Sequence, residues 1–178
     1  MNDQGRSGTW LPGFAGQSGH NLLGIYLNDP LAGATAGTER SRRLATACQG
    51  SWIGDAMAPI ATEIAEDRRT LIALMRRLGI PVRRYKVYAG RLGERAGRLK
   101  SNGSLVRRSP LSSLLELELL QAGVQGKASA WESLRRLAEH DARLDREQLD
   151  HLLERAHRQL RTIEELRRRQ TEETFRDR

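Results

Sequence analysis

Three stretches of this chain repeat apolar residues at the 3.6-residue period of an amphipathic helix, and that pattern restricts the fold more than any other feature. The first runs Ile53, Met57, Ile60, Ile64, Leu71, Leu74, Met75 and Leu78. It opens at Ser51, a good N-cap, and closes at Gly79 with Pro81 just beyond. The second follows Ser109-Pro110 and carries Leu114, Leu117, Leu120, Val124, Ala128, Trp131, Leu134 and Ala138. The third starts from Asp145 with Gln148, a capping-box-like pair, and carries Leu149, Leu153, Ala156, Leu160, Ile163 and Leu166. Nothing of comparable length alternates with the two-residue period of a strand, so the expected class is all-α.

A fourth helix is expected before these. Leu22, Ile25, Tyr26, Ala36, Leu44 and Ala47 recur at helical spacing between His20 and Gln49, interrupted by Gly24, Pro30, Gly33 and Gly37. Either this helix passes through Pro30 with a kink, or it begins there, since Asp29-Pro30 is a good cap followed by a good first residue. Residues 1–19 are rich in Gly and Ser without a period and read as a disordered tail; 171–178 are expected to fray. The bundle domain is thus placed at 20–170. Its length suffices for a core without staples, and the single cysteine, Cys48, fits a reducing cytoplasm. No apolar run reaches the roughly 20 residues needed to span a bilayer.

Charge is distributed unevenly. Of the +8 formal net charge, the stretch between Val82 and Pro110 accounts for all, with nine basic residues against one acidic, Glu94. Arg83, Arg84, Lys86, Arg91, Arg95 and Arg98 lie there on a shorter expected helix whose other side carries Tyr85, Tyr88, Leu92 and Ala96. Such a face is either a solvated surface or a binding site for a polyanion, through counterion release.

The turns near Gln49 and Asp141 make two antiparallel hairpins, joined by a crossover at about 82–109 that is long enough to run back along the bundle. On this architecture, and on Glu154-Arg-Ala-His157, the chain resembles the ferritin-like four-helix bundle superfamily and looks like a bacterial branch of it. The resemblance implies a di-iron or di-manganese centre, with a carboxylate from each of two helices and a Glu-x-x-His from each of the others. This sequence departs from that pattern. The helix after Ser51 offers Glu63-Ile-Ala-Glu66, and no histidine lies between His20 and His140. A metal set would have to come from Asp29, Glu63, Asp67, Glu154 and His157, with Fe or Mn as cofactor. The same residues are otherwise ordinary solvated side chains.

Height along the bundle selects among the charged residues. Counted from the end where the two central helices start, Asp67 stands about 16 residues in, Asp29 about 19, and Glu154 and His157 about 19 and 16. Glu118, about eight in, is roughly 12 Å away along the axis. Lys127 supplies the matching level of the third long helix, and its place between Val124 and Trp131 puts its stem on the apolar stripe. Lys127 then either reaches out to water or joins Asp29, Asp67 and His157 in a buried network, since an unpaired charge there would be prohibitive. The expectation for function is a non-catalytic bundle, without cofactor, acting through a protein partner or self-association, with the network standing where a metal would. Oxidase or iron-storage chemistry and polyanion binding are the competing readings.

Overall fold

The computed structural model describes residues 19–82 and 109–176, which form four α-helices and, among the described residues, no strand. They are α1 (Gly19–Ala47), α2 (Trp52–Arg77), α3 (Pro110–Leu137) and α4 (Arg146–Phe175). The expected tail, and the basic side chains Arg83, Arg84, Lys86, Arg91, Arg95 and Arg98 with the tyrosines beside them, lie outside the described residues. No helix among the described residues is long and apolar enough to cross a membrane.

Helix ends form where the local chemistry dictates. The Gly54 N–H donates to the Ser51 hydroxyl at the start of α2, 3.4 Å, and the Gln148 N–H to Asp145 Oδ1 at the start of α4, 3.1 Å. At the end of α2 the Ile80 N–H reaches back to the Met75 carbonyl and the Gly79 N–H to that of Arg76. This double closure needs a left-handed residue, and Gly79 supplies it at φ 72°. Gly54 is required for a different reason: a Cβ there would fall 2.2 Å from the Cys48 carbonyl oxygen in the α1–α2 turn.

The pairing of the helices follows from contacts between their ends. Besides the hairpins α1–α2 and α3–α4, α1 packs on α3, where the Tyr26 and Ser133 hydroxyls are 2.9 Å apart. α2 faces α4, with the Arg169 guanidinium stacked 4.2 Å from the Trp52 ring. Each neighbouring pair is antiparallel, so α2 and α3 lie on a diagonal and run parallel. The end of α2 meets the α3–α4 turn through Arg143 Nη1 and the Leu78 carbonyl, 3.2 Å. Pro110 sits at the opposite end, where its carbonyl accepts from Gln170 Nε2 at 3.1 Å. The end of α2 and the start of α3 therefore lie at opposite ends of the bundle. Of the four neighbouring pairs, α2 and α4 approach least closely, and long side chains bridge their seam.

The core follows the expected stripes of α2 and α3 closely, from Ile53 to Leu78 and from Leu114 to Leu134. Two stripes are corrected. On α4, Leu152 and Gln159 are buried, while Leu153 and Leu160 are only half-buried. On α1 the buried residues are Leu27, Asn28, Leu31, Ser41 and Leu44, whereas Leu22, Ile25 and Tyr26 are 52, 41 and 41 % exposed. The helix passes through Pro30, forgoing one backbone hydrogen bond, and tertiary ties set its rotation. Asn28 Nδ2 donates to the carbonyls of Gly24, 2.7 Å, and Pro81, 3.2 Å, while His20 Nε2 bonds the Leu78 carbonyl at 3.0 Å. His20 thus closes the end of α2. α4 continues to Phe175, and Gln170 is buried.

Candidate functional site

Polar side chains from three helices meet midway along the core. On α2, Asp67 replaces an apolar residue between Ile64 and Leu71 and is 1 % exposed. On α3, Lys127 holds the corresponding place between Val124 and Trp131, with an 11 % exposed side chain. On α4, Gln159 lies between Ala156 and Ile163, again 1 % exposed. The Lys127 ammonium crosses the bundle diagonal to donate to Asp67 Oδ2 at 2.5 Å and to Gln159 Oε1 at 2.5 Å. Gln159 passes the interaction on, since its Nε2 donates to Glu63 Oε2 at 2.7 Å and stands 3.5 Å from Asp67 Oδ2.

Arg155, one turn before Gln159, completes the network. Its Nη2 pairs with Asp67 Oδ1 and its Nη1 with Glu66 Oε2, the latter at 3.1 Å. Asp67 therefore has a cation on each carboxylate oxygen, which is what a buried carboxylate requires. Two cations face three carboxylates, Glu63, Glu66 and Asp67, so the cluster as a whole is anionic. Burial pulls the Lys127 ammonium below its ordinary value, and the Asp67 carboxylate works against that fall. Two buried donors, Arg155 Nε and Trp131 Nε1, have no hydrogen-bond partner.

The network differs from the expected one in membership. Lys127 and Asp67 come together, and Glu63 joins them at the edge. Asp29 does not, because it is exposed while its neighbour Asn28 faces inward. His157 and Glu154 are exposed too, since the rotation that points Arg155, Ala156 and Gln159 toward the core turns both away from it. Glu154 instead stands 4.0 Å from His151 on the outer face. The carboxylate and imidazole set Asp29, Glu63, Asp67, Glu154 and His157 is thus not assembled, and these residues do not fit a di-metal carboxylate centre. Among the described residues, no group of three or more His, Cys, Asp or Glu side chains is placed to hold a metal ion.

Sequence reasoning missed Arg155 and Gln159. Gln159 carried a usable signal, since it lies three residues after Ala156 and four before Ile163. Arg155 carried none beyond its place among many arginines. Beside it, an open recess of about 500 Å³ is lined by side chains that include Thr70 of α2 and Glu147, Leu152, Glu154, Arg155 and Arg158 of α4. Its mixed charge selects no class of ligand. In comparisons with known proteins, no family model, no curated protein and no solved structure matches this chain.

Proposed function

We propose that this protein is a non-catalytic helical bundle on a ferritin-like scaffold, acting through a protein partner or through self-association, with the Lys127 network in the place of a metal centre. The observation that carries this reading is the Lys127 ammonium seated between Asp67 and Gln159 in the core. It supplies positive charge at the level where a di-metal bundle would hold ions. The helix directions support the scaffold, since parallel diagonal helices require a connection that runs the length of the bundle.

The test is metal content after purification without chelator, followed by anaerobic addition of Fe²⁺ or Mn²⁺. We expect neither ion to be retained. Stoichiometric retention that is lost on Asp67→Asn would sink the reading and restore oxidase or storage chemistry. Sedimentation equilibrium over a range of concentrations separates the two modes of action, with a strict monomer pointing to a different protein as the partner.

A further inference from the structure

The oxygens around Lys127 are arranged as a cation site in their own right. Asp67 Oδ2 and Gln159 Oε1 converge on one point, the Lys127 nitrogen, at 2.5 Å each. Both side chains are almost wholly buried, so their positions are set by core packing. Glu63 Oε2 lies one hydrogen bond further out, 2.7 Å from the Gln159 amide. Without the ammonium, three carboxylates would face one cation, Arg155, and the cluster would carry a larger uncompensated negative charge. We propose that Asp67, Gln159 and Glu63 form a cradle for a hard divalent ion, and that Lys127 is the residue that keeps such an ion out.

This inference rests on reading Lys127 as a replacement for metal. The donor set is all oxygen, without imidazole or thiolate, which selects the Mg²⁺, Mn²⁺ and Ca²⁺ class over zinc or copper.

The experiment titrates Mn²⁺ into the full chain and reads free Mn²⁺ by electron paramagnetic resonance, for wild type, Lys127→Ala and Lys127→Ala with Asp67→Asn. The expected result is about one Mn²⁺ per Lys127→Ala chain, bound at least roughly tenfold more tightly than by wild type, and lost in the double variant. Lys127→Gln, which keeps volume and adds a carbonyl oxygen, should behave alike if the alanine variant folds poorly. Folded variants that take up no more Mn²⁺ than wild type would overturn the cradle while leaving the metal-free reading intact. Variants that stay unfolded even in excess Mn²⁺ count against the cradle too, since a site with affinity for the ion would draw folding with it. Mn²⁺ bound by wild type through Asp67 would overturn both.

Discussion

The Lys127 nitrogen and Asp67 Oδ2 stand 2.5 Å apart across the bundle diagonal, although 60 residues separate them in the chain. A buried pair of this kind contributes little net stability, because desolvation offsets the attraction, yet removing one partner alone costs about 3–5 kcal/mol. Lys127→Met should therefore lower stability by about 3 kcal/mol, at the low end because Arg155 still pairs with Asp67. Lys127→Met with Asp67→Asn should recover part of that loss. Urea unfolding followed by circular dichroism measures both, and strictly additive losses would mean that the two residues are not coupled.

Lys127 also predicts a pH dependence. Its native value lies below the ordinary 10.5 because of burial, so between the two values the unfolded chain holds a proton that the folded one has released. Its contribution to stability is lowest below that window and rises with pH through it. The difference in stability between wild type and Lys127→Met should change across the same alkaline range. A flat difference would show that burial does not act on this amine.

At acid pH the sign is the same, and stability again rises with pH. Hydrogen bonds from Arg143 hold the Asp141 carboxyl at about 2, and those from Arg167 and Gln121 hold Glu164 at about 2, against ordinary values of 3.8 and 4.5. Depressed carboxyls stabilise the fold fully above their ordinary values, and that contribution is lost as pH falls from there toward 2. Arg143→Ala and Arg167→Ala should each flatten the acid limb of a stability profile while leaving its neutral part little changed, since all four groups lie near the surface.

Adjacent residues on α1 test which face it buries. Asn28→Ala removes the donor to the Gly24 and Pro81 carbonyls and should cost about 1–3 kcal/mol. Asp29→Ala, at an exposed position, should fall within about 0.5 kcal/mol of wild type. Thermal unfolding of the pair decides the matter, and the opposite ranking would mean that α1 is rotated as its own apolar spacing suggested.

Gly54→Ala should be among the most damaging small substitutions, because the added methyl would meet backbone that cannot swing aside. A loss of about 1–3 kcal/mol is expected from such overpacking. Gly123→Ala provides the contrast. Nothing lies near its Cβ position, and alanine is the better helix former there by about 1 kcal/mol.

Sequence alone determined the elements whose signals are local. The stripes of α2 and α3, the caps at Ser51 and Asp145 and the stop at Gly79 all follow from side-chain spacing and backbone chemistry within a few residues. The level shared by Lys127 and Asp67 was legible too, because a helix rises by a constant amount per residue and the two strong stripes fix its azimuth. Tertiary structure decided what depends on rotation about a helix axis. α1 has few large apolar residues, so Asn28 and the segment after α2 set its facing, and a shift of one position, 100° of rotation, exchanged Asp29 for Asn28. On α4 the same effect sent Glu154 and His157 outward and brought Arg155 and Gln159 in. An arginine-rich helix of modest apolar content offers several nearly equivalent faces, and only the charges waiting on α2 and α3 choose among them.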